Sequence, residues 1–147
     1  MPTNLLVAVD FSAVTERVIE TAAALAQECG GTITLLHVAR AEPDFVGYEA
    51  GPQSVRDQVA TEFRLQRRML HDLADRLRAA QVEVTALVVQ GRIADSIVEQ
   101  AERSGSALIV VGTHGRGPMM DLLVGSVSEG VIRRSPVPVV VVPPERR

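Results

Sequence analysis

Five short aliphatic runs divide the chain: Leu5 to Val9, Thr32 to Val38, Val82 to Val89, Ala107 to Val111 and Val137 to Val142. None alternates strictly between apolar and polar positions, so each predicts a strand covered on both faces. Between them the apolar positions fall at helical spacing: Val18, Ala22 and Leu25; then Val55, Val59, Phe63, Leu70, Leu73 and Leu77; then Ala94, Ile97, Val98 and Ala101; then Val127 and Val131. The order βαβαβαβαβ predicts one domain over residues 1–147, a doubly wound α/β fold with a five-stranded parallel sheet and helices on both faces. Local chemistry supports the boundaries. Ser12 precedes the first helix, Gly30-Gly31 ends it, Gly105 follows the third, and Pro136 and Pro138 stop the fourth. The second helix, about 27 residues and roughly 40 Å long, should overhang strands of ordinary length. The stretch Ala39 to Gln53, with two prolines and two glycines, is the one long loop and a candidate lid.

Right-handed crossovers on a sheet that starts in its middle give the order 3-2-1-4-5, with the reversal between strands one and four. Ligands in such sheets bind beyond the carboxyl ends of the strands flanking the reversal, here Asp10 and Gly112. The order 2-1-3-4-5 competes and would put the end of strand three, near Gly91, at the switch. The hydrophobic pattern does not separate the two.

Composition narrows the chemistry. The 147 residues suffice for one core, and 46% hydrophobic against 22% charged residues describes an ordinary soluble globule. A net charge of −3 gives no reason to expect nucleic acid or an anionic membrane as partner, and 3% aromatics with no Trp argue against a base-stacking platform. All 15 basic residues are Arg, so mechanisms that need a lysine, the Walker A phosphate site and Schiff-base chemistry among them, are excluded. Cys29 stands alone, which rules out an intrachain disulfide and fits a reducing cytoplasm; a buried helical position is its ordinary reading. The first apolar run is too short for a signal peptide, and no segment approaches the roughly 20 apolar residues of a membrane span.

The chemistry concentrates after the fourth strand, in Gly112-Thr-His-Gly115-Arg-Gly-Pro-Met-Met-Asp-Leu-Leu-Val-Gly125-Ser126. A strand that stops at glycine, winds through a glycine-spaced loop and enters a helix at Gly-Ser gathers unpaired backbone N–H groups, which is how anions are held. Gly112 would let the chain turn with positive φ and let a phosphate approach the backbone. Gly125 would sit at a helix N-terminus, with Val127 in its first turn, and Ser126 adds a hydroxyl. Against this, Ser126-Val-Ser-Glu129 matches a capping box that would occupy the hydroxyl. His114 and Arg116 lie in the loop, where they can neutralise phosphate or simply face solvent. Arg133 and Arg134 suit the far end of the helix dipole. Asp10 could bind a ribose, an adenine amino group or a metal, or it could cap its own turn. His37, inside strand two, reads as a satisfied core histidine, and His71 has no assigned role.

These residues resemble the universal stress protein family along the whole chain. The nucleotide-binding branch carries G-x-x-G, nine residues, then G-[ST], matched by Gly112 to Gly115, Arg116 to Val124, and Gly125-Ser126. Val9-Asp10-Phe11-Ser12, Leu36-His37-Val38 and Pro136-Val-Pro-Val-Val140 also look like the family. The resemblance implies the 3-2-1-4-5 Rossmann-like sheet. It further implies ATP, with or without Mg2+, with Asp10 and the Val38 backbone near the adenosine and Gly112, Gly115, Arg116, Gly125, Ser126 and Val127 around ribose and phosphates. A branch without the glycine motif does not hold nucleotide. Family members commonly form homodimers by pairing the last strand, here Val137 to Val142, and such an apolar edge favours being covered. The expected function is a cytoplasmic, nucleotide-dependent stress-response switch. The alternatives are a weak ATPase or phosphotransferase at the same site, where Asp121 is only one loop carboxylate among many, and a dimeric scaffold with structural nucleotide.

Overall fold

The computed structural model describes residues 2–40, 53–113 and 125–145. Its elements are β1 (Asn4–Ala8), α1 (Thr15–Cys29), β2 (Thr32–Ala39), α2 (Gln53–Ala79), β3 (Val84–Gln90), α3 (Ile93–Arg103), β4 (Leu108–Gly112), α4 (Ser126–Arg134) and β5 (Val139–Val142). The strands form one parallel sheet in the order β3-β2-β1-β4-β5. The competing order 2-1-3-4-5 is therefore excluded, and Gly91 is not at the switch. β1 lies centrally, with Leu6 opposite Thr34 on one side and Ile109 on the other.

Strand alternation sends neighbouring side chains into two cores. Leu5, Val7, Ile33 and Leu35 pack with Val18, Ala22, Leu70 and Leu77 of α1 and α2. Leu6, Leu36, Ile109 and Val111 pack with Ile97, Ala101 and Val131 of α3 and α4 on the opposite face. Both faces of the central strands are thus filled, which is why β1, β2 and β4 read as continuous aliphatic runs.

Most element boundaries follow the local signals. Gly30 closes α1 in the left-handed region, with φ 63°, and its N–H meets the Ala26 carbonyl. α3 ends before Gly105, also left-handed at φ 62°. Ser12 does not cap α1. The helix begins at Thr15 with Val14 at the cap position and no side-chain cap bond, because the chain between Val9 and Val14 is used to make a separate turn. Cys29 is exposed rather than buried, at the last turn of α1. α2 has the expected 27 residues, and its two halves differ. Leu70, Leu73, Ala74 and Leu77 are in the core, whereas Leu65 and Met69 are exposed. Among the described residues no helix is long and apolar enough to cross a membrane. The candidate lid from Ala39 to Gln53 lies almost entirely outside the described residues, only its ends, Ala39 in β2, Arg40 and Gln53 in α2, being described.

Candidate functional site at the strand reversal

A cavity of about 480 Å³ opens at the carboxyl ends of the central strands, within the roughly 300–1,000 Å³ range of small-molecule sites. Val9, Asp10, Val38 and Gly112 contribute from the strand ends and Val14, Thr15 and Val18 from α1. Ile93, Ile97, Val127 and Ser128 line the α3 and α4 side. Val59, Glu62, Phe63 and Gln66 complete it from the amino-terminal half of α2, spaced so that they share one helix face. The overhang expected of α2 thus becomes a wall of the cavity.

The β1/β2 rim is shaped by a tight turn. Phe11 takes φ 62°, a left-handed conformation that costs a bulky residue about 1–2 kcal/mol. Asp10 Oδ1 accepts the Ser12 N–H at 2.9 Å, so the carboxylate does cap its own turn while still lining the cavity. The Phe11 ring lies on His37 with centroids 4.5 Å apart. Turning the chain here ends the β1–β2 ladder at the bond from Val9 N–H to the Leu36 carbonyl, 2.9 Å. In a parallel pair the next rung would run from Val38 N–H to the Val9 carbonyl. That oxygen instead accepts His37 Nδ1–H at 2.9 Å. Among the described residues, no rung from β1 reaches Val38, whose N–H and C=O point into the gap.

His37 is therefore only half of a satisfied core histidine. It is 7% exposed and its Nδ1 is used, but Nε2 has no partner. The buried side-chain polar atoms without a partner among the described residues are Ser12 Oγ, Thr15 Oγ1, His37 Nε2 and Thr113 Oγ1. All four residues sit at the carboxyl ends of β1, β2 or β4, or at the first turn of α1. Each such atom costs about 1–3 kcal/mol when desolvated without a bond, and their clustering at one end of the sheet makes that end the candidate site.

The β4/α4 rim is built by missing side chains. Gly112 ends β4 opposite Val142 and is not left-handed. A Cβ there would lie 2.5 Å from Val14 Cγ1 and 3.1 Å from Val18 Cγ2, so this glycine admits α1 against the strand rather than making a positive-φ turn. Ser128 Oγ donates to the Gly112 carbonyl at 2.8 Å, fastening α4 to the strand end. Gly125 caps α4 with φ −63° and ψ 163°, and no side-chain cap bond forms. The capping box is absent: Ser126 is the first helical residue rather than the cap, and the Glu129 carboxylate accepts Arg133 at 2.7 Å. The first intrahelical bond runs from Glu129 N–H to Gly125, which leaves the N–H groups of Gly125, Ser126, Val127 and Ser128 without intrahelical partners. Arg134 pairs with Asp95 across to α3.

Asp10, Val38, Gly112 and Val127 thus line one cavity, and Gly125 and Ser126 begin the helix beside it. Gly115 and Arg116, with His114 and Asp121, lie outside the described residues. Sequence reasoning missed Thr15, Ser128 and the α2 face, and undervalued His37; only the position of His37 next to Val38 at the end of a strand hinted at its place. Among the described residues no group of three His, Cys, Asp or Glu is placed to hold a metal ion.

Comparison with known proteins identifies the fold and the family. The model of the universal stress protein family matches residues 1–143. A universal stress protein of Thermus aquaticus is 32% identical over 145 residues, 95% of this chain and 97% of its own. The solved structure of protein MJ0577, which Methanocaldococcus jannaschii carries, superposes with a TM-score of 0.82 at 26% identity, covering 100% of this chain and 99% of that one. A universal stress protein of Archaeoglobus fulgidus solved in complex with dAMP shares the fold at 22% identity and a TM-score of 0.67, covering 95% and 96% of the two chains. By its sheet order and by a match along nearly its whole length, this chain belongs to the universal stress protein family.

Proposed function

We propose that the chain binds ATP in the crevice between β1 and β4 and acts as a nucleotide-dependent stress-response switch in the cytoplasm. The observation that carries this reading is the set of unpartnered buried polar atoms of Ser12, Thr15, His37 and Thr113 around one end of the sheet. The free Val38 N–H and C=O suit a base edge that pairs an acceptor with a donor, and Asp10 suits the ribose or the base amino group. The open N-terminus of α4, with Ser126 exposed at its start, suits phosphate. Gly115 and Arg116 are assigned to the phosphates by their place in the motif. The dAMP complex of the Archaeoglobus relative supports the adenine class. Mg2+, where it takes part, would be held by the phosphates, with Asp10 a carboxylate lining the same cavity.

A switch requires that ATP and its product bind two states of the protein with different affinity. Titration calorimetry of nucleotide-stripped protein with ATP, ADP and AMP tests this directly. Saturable ATP binding that differs from ADP binding, and that Gly115→Val weakens, is the expected result; no heat with any of the three ends the reading. The edge strand β5, four valines that are mostly half-buried, is proposed to pair with its copy in a homodimer. Light scattering should give twice the 15.8 kDa chain mass.

A further inference from the structure

We infer that His37 positions the nucleotide base by occupying the Val9 carbonyl and so keeping the Val38 N–H from bonding to β1, while Val38 stays in β2 beside β3. The inference rests on the nucleotide reading of the crevice and adds to it a contact from His37 to β1, made by Nδ1 and separate from the unpartnered Nε2. Left to strand geometry, β1 and β2 would gain another rung, and Val38 N–H would be spent on Val9. His37 Nδ1–H takes that oxygen at 2.9 Å. The competing groups come from adjacent residues, His37 and Val38, so one substitution at His37 decides which of them wins.

Two observations argue against a purely packing role. The imidazole is 93% buried by its 7% exposure, yet Nε2 has no partner, a poor choice where an aliphatic side chain would fill the same space. The ring is also held in orientation: Phe11, itself left-handed at φ 62°, lies against it, and the Asp10–Ser12 bond fixes the turn that places Phe11. Strain, turn and stack converge on aiming one N–H at one carbonyl. The open Val38 N–H and C=O then meet a base that presents a ring-nitrogen acceptor beside an amino donor, as adenine does and hypoxanthine does not.

The test compares His37→Phe, which keeps the ring and removes the N–H, with His37→Asn, whose amide N–H sits near the Nδ1 position, and His37→Gln, whose N–H reaches instead toward Nε2. Amide hydrogen exchange at Val38 is measured on unliganded protein, and calorimetry gives affinities for ATP, ITP and inorganic tripolyphosphate. In His37→Phe and His37→Gln the Val38 amide should exchange about tenfold more slowly, ATP should bind about tenfold more weakly and the preference for ATP over ITP should shrink, with tripolyphosphate binding unchanged. His37→Asn should keep Val38 exchange near the wild-type rate. The inference is overturned if His37→Phe and His37→Gln leave Val38 exchange and the ATP preference at wild-type values, or if His37→Asn slows Val38 exchange as they do. If wild-type protein does not bind ATP, the nucleotide reading fails, and the Val38 exchange rates alone still decide whether His37 withholds the rung.

Discussion

The two rims of the crevice solve the same problem by opposite means. On the β1/β2 rim, side chains divert backbone groups: Asp10 takes the Ser12 N–H, His37 takes the Val9 carbonyl, and Phe11 is held left-handed between them. On the β4/α4 rim, side chains are withheld: Gly112 leaves room for Val14 and α4 starts with no side-chain cap. Both arrangements leave polar groups unspent where the central strands end. The candidate site is thus made as much by what the sheet and helix fail to pair as by any group added to it.

The largest expected effect comes from breaking the second rim by filling it. Gly112→Val places new atoms on Val14 and should cost about 1–3 kcal/mol of stability, read by urea denaturation. Because the clash is with Val14, a second change, Val14→Ala, should recover part of the loss. Additive destabilisation in the double variant would show that Gly112 is needed for something other than admitting α1.

Gly125→Val is expected to act differently. Its backbone angles suit any residue, so stability should change little, while ATP affinity should drop about tenfold, about 1.4 kcal/mol, as branched methyls crowd the start of α4. A large loss of stability with unchanged affinity would remove this rim from the site.

On the first rim, Asp10→Ala removes the acceptor for Ser12 N–H and should destabilise by about 0.5–1.5 kcal/mol. Asp10→Asn keeps an oxygen in that place and should be nearly neutral in stability while altering nucleotide affinity. Equal thermal shifts for the two variants would mean that the turn does not depend on the Asp10 oxygen.

The smallest effect lies away from both rims and serves as a control. Arg76 donates to both oxygens of Glu16, at 2.8 and 2.6 Å, and that hydrogen bond chiefly holds the Glu16 carboxyl below its ordinary value and raises the Arg76 guanidinium above its own. A lowered folded-state value means the unfolded chain binds the proton more readily, so the pair's contribution is complete above the ordinary carboxylate value and is lost as pH falls through the lowered one. Both side chains are more than half exposed, which limits the contribution to below about 1 kcal/mol. Glu16→Gln should flatten that part of the acid stability curve and leave nucleotide binding untouched; altered binding would mean that α1 transmits more than packing to the rim.

Much of the fold was legible in the chain. Short unbroken aliphatic runs such as Leu5 to Val9, bounded by turn residues, suit strands buried on both faces, and Gly30 and Gly105 mark helix ends because the left-handed conformation excludes most other residues. The crevice was legible only in part: right-handed crossovers left its place between the ends of β1 and β4 or near Gly91, the family resemblance favoured the former, and the strand order bears it out. The roles of individual residues were less so. Whether Ser126 is a cap or a first helical residue depends on one peptide's dihedral angle, and the helix placed the cap at Gly125. The reason for Gly112 lies in Val14, distant in sequence and adjacent only after α1 folds onto the sheet.

The sequence alone determined the element order and the parallel sheet with its double cover, because periodicity and local turn chemistry are written in neighbouring residues; it left two strand orders open, and the observed order β3-β2-β1-β4-β5 fixes which strand ends meet at the reversal. Only the tertiary structure decided which polar groups stay unpaired there. That depends on competition for single atoms, Val9's carbonyl above all, between groups brought together from different strands, and no local pattern records which of them arrives first.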